Sequence, residues 1–143
     1  MTRTAQLDMH NVPVSRYMTP SPTAVAEEAP LEQALDLMNE HQIRHLPVLR
    51  GDTLVGLVSE RDLALVETLV PDSWQTLAVA EAMSTGPYAV APDAPLGRVA
   101  RDMADAKYGS AVVVDAAGHI VGIFTTTDAL DALADACNLG PTS

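Results

Sequence analysis

Apolar residues recur at intervals of three and four positions in two stretches of the chain, each of which follows a proline. Pro30 precedes the first stretch and Pro95 the second, and proline is well tolerated in the first turn of a helix. This spacing places the apolar side chains on one face of an α-helix. The two stripes are Leu31, Ala34, Leu35 and Met38, and then Leu96, Val99, Ala100 and Met103.

Each predicted helix is followed by two short apolar runs with a turn between them. The runs are 46–49 and 54–58 in the first half, and 111–114 and 120–124 in the second. Glycine-containing turns between such runs predict β-hairpins. A final helix is predicted to begin at Ser59 and again at Thr125, because a carboxylate follows each hydroxyl residue at the third helical position, as in a capping box.

The two halves are copies of one unit. A shift of 65 residues aligns identical residues, and after one inserted residue the shift becomes 66; examples are Val14/Val79, Met18/Met83, Pro30/Pro95, Met38/Met103, Gly56/Gly122 and Asp62/Asp128. A duplication of this length indicates a repeat architecture. The order in each copy is β-α-β-β-α. The predicted boundaries are an N-terminal tail (1–12), a first repeat (13–70), a linker (71–78), a second repeat (79–137) and a C-terminal tail (138–143).

Composition and charge narrow the classes of partner. The chain has a net charge of −11, and its 8 basic residues form no cluster. Nucleic acids and anionic membranes attract clustered lysine and arginine, so neither is an expected partner. With 48% apolar and 3% aromatic residues, the core must be mainly aliphatic. A single cysteine and the lack of a long apolar run predict a cytoplasmic protein.

No pattern typical of catalysis is present, and we expect no enzymatic activity and no required cofactor. His41 and His45 lie four residues apart, but only His41 falls on a predicted helix and no third ligand is evident, so no metal site is predicted. Met38 and Met103 are assigned to the core. Cys137 is expected to be buried filler on a stripe with Leu130, Leu133 and Ala134, or else a dimer contact. Trp74 covers the core or contacts a partner.

Several phrases of the sequence resemble the CBS-domain family. They include Leu54-Val55-Gly56-Leu57-Val58-Ser59-Glu60-Arg61-Asp62, His119-Ile120-Val121-Gly122-Ile123-Phe124-Thr125-Thr126-Thr127-Asp128, Tyr17-Met18-Thr19-Pro20 and Arg44-His45-Leu46-Pro47-Val48. The resemblance implies an α/β (α+β) fold, in which two tandem CBS repeats pack about a pseudo-two-fold axis as a free-standing Bateman module. It also implies clefts between the repeats for adenosine-containing ligands, with AMP, ADP or ATP favoured and S-adenosylmethionine as another choice, and it implies a homodimer.

Physical chemistry supports this expectation at two places. Ser59 and Thr125 stand at helix N-termini, where free N–H groups and the helix dipole favour a phosphate. Asp62 and Asp128 can accept hydrogen bonds from ribose hydroxyls. The resemblance groups Ser59, Arg61 and Asp62 with Tyr88, Ala89, Val90, Tyr108 and Ser110, and groups Thr125 and Asp128 with Thr23, Ala24, Val25, Arg44, His45 and Pro47. Helix capping alone also explains the hydroxyl and carboxylate pairs.

The two sites are not expected to be equivalent, and the role of the chain has two interpretations. Arg61 favours a phosphorylated ligand at Ser59, whereas Thr126 and Thr127 leave the Thr125 site weak, empty or suited to a less anionic ligand. In the first interpretation the chain senses the ligand and an unknown protein effector in trans detects the change. In the second it is a ligand-free dimerisation or adaptor scaffold.

Overall fold

The four predicted helices are all present in the computed structural model, which describes residues 11–138. They are α1 (Leu31–His41), α2 (Glu60–Leu69), α3 (Leu96–Ala106) and α4 (Thr126–Ala136). The predicted stripes of α1 and α3 are buried at Leu31, Ala34 and Met38 and at Leu96, Val99 and Met103. The periodicity of these two helices therefore predicted their buried faces correctly. No helix of the described residues is long and apolar enough to cross a membrane.

Within residues 11–138, eight strands form two four-stranded mixed sheets. The strands are β1 (Thr19–Pro20), β2 (Val25–Ala26), β3 (His45–Arg50), β4 (Thr53–Ser59), β5 (Ser84–Thr85), β6 (Ala89–Val90), β7 (Ser110–Val114) and β8 (Ile120–Thr125). One sheet has the order β2-β3-β4-β5 and the other β1-β8-β7-β6. β3–β4 and β7–β8 are the predicted hairpins, and β2 and β6 precede α1 and α3, as the first strand does in the predicted β-α-β-β-α order. The α/β fold class with four helices and two sheets is thus confirmed.

The chain divides into two compact units, which we call unit 2 and unit 1. Unit 2 is the continuous stretch Pro22–Pro87. Its core packs α1 against the inner face of the hairpin and against the residues that follow α2; the buried members include Leu31, Met38, Leu46, Val48, Val58, Trp74 and Val79. The Val79 N–H donates to the carbonyl of Ala29 and the Leu31 N–H to that of Leu77, both at 2.8 Å.

Unit 1 is built from two separate stretches, residues 11–21 and 88–138. Its core packs α3 against β7 and β8 with help from the first stretch; the buried members include Val12, Val14, Leu96, Val99, Met103, Ala111, Val113 and Phe124. The Val14 N–H donates to the carbonyl of Ala94 and the Leu96 N–H to that of Val12, both at 2.8 Å. The backbone therefore repeats in unit 1 the connections of unit 2.

Each copy lends its first segment to the body of the other. We call residues 11–21 and 79–87 the lead-in segments. The strand of the first, β1, pairs antiparallel with β8, and the strand of the second, β5, pairs antiparallel with β4. The predicted repeats follow the sequence, whereas the compact units follow the packing, and the two differ by this exchange. Most of the predicted tails lies outside the described residues, and the side chain of Val12 is buried in the core of unit 1.

Two interpretations of single residues can now be decided, and one helix face was predicted wrongly. Trp74 is 7% exposed and covers the core of unit 2. Cys137 is exposed and follows the last residue of α4, so its predicted burial is wrong, while the alternative of a dimer contact stays a prediction. Leu130 and Leu133 are also exposed, at 64% and 58%, and α4 buries Ala132 instead. Helix α4 itself carries alanine and leucine residues on several of its faces, so the spacing of its apolar residues did not identify the face that is buried.

Methionine side chains of the lead-in segments pack against two glycines of the sheets: Met18 packs against Gly122, and Met83 packs against Gly56. A Cβ atom on either glycine would fall within 3 Å of the Sδ atom of Met18 or Met83. We therefore expect Gly122→Ala to lower the free energy of unfolding by about 1–3 kcal/mol, as overpacking does. Urea denaturation measures this loss. Gly97→Ala, at an exposed position of α3, is the control and should gain up to about 1 kcal/mol. Equal effects of the two substitutions would contradict the close contact.

Candidate functional site

The Ser59 corner, formed by Ser59, Asp62 and His45, lies where β4 ends and α2 begins. The Ser59 N–H donates to Oδ2 of Asp62 at 2.8 Å, and the Asp62 N–H donates to Oγ of Ser59 at 3.1 Å. This is the complete capping box that the sequence predicts. It holds a hydroxyl and a carboxylate together at a helix N-terminus, where N–H groups and the helix dipole favour an anion.

Strand pairing places further polar groups at this corner. His45 lies opposite Ser59 in the β3–β4 ladder, and the Glu60 N–H donates to the carbonyl of Arg44 at 2.9 Å. Burial lowers the pKa of His45; the charge of Asp62 opposes this shift and that of Arg44 adds to it. Burial therefore favours the neutral imidazole, and the nearest basic residues in sequence are Arg44, next to His45, and Arg61, next to Asp62.

The Thr125 corner, formed by Thr125, Asp128 and Ser110, is the equivalent place in unit 1. The Thr125 N–H donates to Oδ2 of Asp128 at 3.0 Å, and the Asp128 N–H donates to Oγ1 of Thr125 at 3.3 Å. The Thr125 hydroxyl also lies 3.3 Å from Oδ2. Burial raises the pKa of Asp128, while its hydrogen bonds from Thr125 and Thr19 act in the opposite direction. The capping box is complete here too.

Ser110 lies opposite Thr125 in the β7–β8 ladder and is 3% exposed. Its hydroxyl is buried and has no hydrogen-bond partner among the described residues. A buried hydroxyl without a partner is costly and calls for an explanation such as a bound molecule. The Thr126 N–H donates to the carbonyl of Gly109, the counterpart of Arg44, so this corner carries no equivalent cation.

The other predicted site residues divide between the units. Thr23 and Ala24 precede β2, Val25 is in β2, and Pro47 is in β3, all in unit 2. Tyr88 precedes β6, Ala89 and Val90 form it, and Tyr108 follows α3, all in unit 1. β2 and β6 run parallel to β3 and β7: Val25 pairs with Val48, three residues along β3 from His45, and Ala89 pairs with Val112, two residues along β7 from Ser110.

Within each unit, the structure joins residues that the resemblance assigned to different groups. His45 is beside Ser59, and Ser110 is beside Thr125. The predicted grouping of residues from the two copies in shared clefts stays a prediction. Thr19 is not among the predicted site residues, yet its hydroxyl lies 3.4 Å from both carboxylate oxygens of Asp128. Only the phrase Tyr17-Met18-Thr19-Pro20 could have drawn attention to it.

Two tyrosines of unit 1 are tied to aspartates. The Tyr88 hydroxyl donates to Oδ2 of Asp102 at 2.9 Å, and the Tyr88 ring stacks on Tyr108 with centroids 5.3 Å apart. Burial, together with Asp102, raises the pKa of Tyr88 to about 12. The Tyr17 hydroxyl donates to Oδ2 of Asp135 at 2.6 Å. Among residues 11–138, no cluster of three or more histidine, cysteine or acidic side chains suited to a metal ion is found.

The comparison with protein families decides the membership of the chain. The family model for the CBS domain matches residues 14–67 and again residues 79–135. The chain belongs to the CBS domain family. Its two tandem CBS repeats account for the duplication found in the sequence, and the resemblance stated above is confirmed.

Several curated proteins are similar to part of this chain or to most of it. Inosine-5'-monophosphate dehydrogenase of Korarchaeum cryptofilum (strain OPF8) is 34% identical over 104 residues, which are 73% of this chain and 21% of that enzyme. The chain spans between 21% and 36% of the lengths of the first three curated relatives that it matches.

Two solved structures carry adenine nucleotides. The structure of CBSX2 in complex with AMP has a TM-score of 0.74 and 29% identity and covers 85% of this chain and 95% of its own. The CBS domain of a bacterial CNNM/CorC family Mg²⁺ transporter in complex with ATP has a TM-score of 0.79 and 26% identity and covers 96% of this chain and 95% of its own.

Removal of the N-cap hydroxyl of α2 should destabilise the ligand-free protein. We expect Ser59→Ala to lower the free energy of unfolding by about 1 kcal/mol, because the Asp62 N–H loses its acceptor. Urea denaturation measures the loss. Ser73→Ala is the control, since the Ser73 side chain makes no cap hydrogen bond at the start of its 3₁₀ turn. An unchanged midpoint for Ser59→Ala would contradict the capping role.

The raised pKa of Tyr88, which burial and the hydrogen bond to Asp102 cause, should be measurable in an alkaline titration. Because the folded chain holds the phenolic proton more tightly than the unfolded chain does, stability is lost as pH rises from the ordinary tyrosine value of about 10 towards 12. Tyr88→Phe should reduce that loss. The difference between the tyrosinate absorbance titrations of the native and Phe proteins isolates Tyr88, and a component titrating at about 10 would contradict the assignment.

Proposed function

We propose that this CBS pair is a regulatory module that binds adenosine-containing ligands, of the AMP, ADP, ATP or S-adenosylmethionine type, at the Ser59 and Thr125 corners. The observation that carries the proposal is the repeated corner itself. In both units an N-cap hydroxyl and a carboxylate at the third helical position stand at the start of a helix of 10 or 11 residues. These groups suit a phosphate and a pair of ribose hydroxyls.

The chemistry of the similar structures supports the same ligand class. CBSX2 in complex with AMP and the transporter CBS domain in complex with ATP share the fold at 29% and 26% identity. That the protein requires no metal ion or cofactor of its own stays a prediction. The orphan hydroxyl of Ser110 gives the Thr125 corner an unused hydrogen-bonding group for a polar ligand atom.

We propose further that the two corners differ in the ligand charge they favour. Arg61 is the second residue of α2, and the Arg44 carbonyl accepts the Glu60 N–H at the start of that helix, although the resemblance groups Arg44 with Thr125; Gly109 and Thr127 hold the equivalent positions at α4. Guanidinium groups bind phosphate strongly, often with two hydrogen bonds. The Ser59 corner therefore suits AMP, ADP or ATP, and the Thr125 corner suits a less anionic adenosine derivative. The net charge of −11 makes a local cation more important for attracting a phosphate.

In this proposal the chain acts by binding a ligand and does not catalyse a reaction. A ligand that binds one conformation better than another shifts the population towards it, and a partner protein or another domain detects the change. The inosine-5'-monophosphate dehydrogenase relative shows a matching segment within a longer enzyme. The predictions of no enzymatic activity, no nucleic-acid or membrane partner and a cytoplasmic location remain predictions.

A second candidate function, an assembly scaffold, is favoured by exposed leucines on the final helix of each copy. Leu65 and Leu69 of α2 are 59% and 69% exposed, and Leu130 and Leu133 of α4 are 64% and 58% exposed. The members of each pair lie four or three residues apart and so share one helix face. Apolar residues exposed in this way suit a protein contact such as the predicted homodimer.

Calorimetry on two matched variants tests the ligand proposal and the asymmetry. We expect Asp62→Ala to weaken AMP and ATP binding by roughly 10- to 100-fold, because the ribose loses charge-assisted hydrogen bonds. Asp128→Ala should change the affinity for these nucleotides much less. Asp72→Ala, in an exposed loop, is the control for loss of one negative charge. Unfolding curves recorded in parallel separate the loss of a cap from the loss of a ligand contact.

Two outcomes would contradict these proposals. Equal losses in Asp62→Ala and Asp128→Ala would remove the asymmetry. A flat thermal-shift response to AMP, ADP, ATP, S-adenosylmethionine and NADH would overturn ligand binding, because a ligand that binds only the folded state must raise the melting temperature. Sedimentation analysis of Leu65→Asp with Leu130→Asp would then test the scaffold function, for which loss of self-association is expected.

A further inference from the structure

The lead-in segment of unit 1 contacts α4 at two points. The Tyr17 hydroxyl donates to Asp135 at 2.6 Å, and the Thr19 hydroxyl lies 3.4 Å from both oxygens of Asp128. Asp128 and Asp135 are seven residues apart, which is close to two helical turns, so they lie on the same face of α4. The segment therefore runs along the face of the helix that carries the carboxylate of the Thr125 corner.

Backbone and apolar contacts hold Thr19 in this position. Thr19 pairs with Ile123 and Pro20 with Gly122 in the β1–β8 ladder. The side chain of Met18 lies against Gly122, where a Cβ atom would collide with it. Tyr17, Met18 and the strand together thus keep the Thr19 hydroxyl next to Asp128.

The carboxylate of Asp128 is already well supplied with hydrogen-bond donors. Oδ2 receives the Thr125 N–H at 3.0 Å and also contacts the hydroxyls of Thr125 and Thr19, and Oδ1 contacts Thr19. A carboxylate offers about four lone-pair sites. The two Thr19 contacts are long and hence weak, so a ligand hydroxyl could replace them, but it would have to do so before using both oxygens.

The Ser59 corner has no such competitor among residues 11–138. Among the residues that the structure describes, Asp62 receives the Ser59 N–H at Oδ2, and its carboxylate accepts no other hydrogen bond. The counterparts of Tyr17 and Thr19 are Ala82 and Ser84; Ala82 has no hydroxyl, and Ser84 is exposed and makes no hydrogen bond to Asp62. The counterpart of Asp135 is Leu69, which cannot accept a hydrogen bond. Both contacts with the lead-in segment thus belong to unit 1 alone.

We propose that Thr19 sets the ligand affinity of the Thr125 corner by competing with ligand hydroxyls for Asp128, and that Tyr17 is a positioning residue that keeps Thr19 there. This inference rests on the proposed function, since it concerns the adenosine site. It names the residue that distinguishes the corners in their recognition of ribose, whereas Arg44 and Arg61 distinguish them in their recognition of phosphate.

The test isolates one corner at a time. In a chain carrying Asp62→Ala, which leaves the Thr125 corner, we expect Thr19→Val to raise the affinity for adenosine and AMP by about 2- to 10-fold, a small gain because the Thr19 contacts with the carboxylate are long and weak. Tyr17→Phe in the same background should give a smaller gain. Both substitutions should leave the melting temperature of the free protein equal or lower. A residue with a purely structural role would lose affinity together with stability, so a gain identifies competition.

Ser84, the counterpart of Thr19, provides the matched control at the other corner. In a chain carrying Asp128→Ala, which leaves the Ser59 corner, Ser84→Ala removes the equivalent hydroxyl and should leave the affinity unchanged. If the Asp128→Ala chain binds AMP while Thr19→Val brings no gain over Asp62→Ala alone, including no detectable binding in either, the inference about Thr19 is overturned. If no chain, native or variant, binds adenosine or any adenine nucleotide, the proposed function itself fails.

Discussion

The structure depends on the pairing of each lead-in strand with the last strand of the other copy. β1 completes the sheet at β8, and β5 completes the sheet at β4. Gly122 and Gly56, which have no side chain, leave room for Met18 and Met83, the methionines that precede the two short strands. β4 and β8, with which these short strands pair, end at Ser59 and Thr125, the residues that cap α2 and α4. The core, the helix caps and the candidate site therefore all adjoin these paired strands.

Much of the fold follows from local patterns. The stripes of α1 and α3, the hairpin turns and both capping boxes involve residues within about one or two turns of each other, and such patterns are readable in one sequence. The strands β1 and β5 are different, because two residues carry no periodicity and their partners lie far along the chain. The bond between Tyr17 and Asp135 spans 118 positions and has no local sign.

The candidate site divides in the same way. Ser59, Asp62, Thr125 and Asp128 were predicted because hydroxyl and carboxylate belong to one local motif. Thr19 and the partnerless state of Ser110 depend on tertiary packing and could not be predicted. The error at Cys137 has another cause. Helix α4 is apolar on several sides, so spacing did not tell its buried alanine from its exposed leucines. In such a helix only the packing decides which side faces the core.

The split composition of unit 1 has a consequence for the order in which the chain folds. Unit 2 is continuous in sequence, so its contacts can form as soon as residue 87 has left the ribosome. Residues 11–21 must wait for β7 and β8, a delay on the order of several seconds at ordinary rates of synthesis. Meanwhile Val12 and Val14 stay exposed to solvent. Nascent chains should therefore depend most on chaperone protection at residues 11–21.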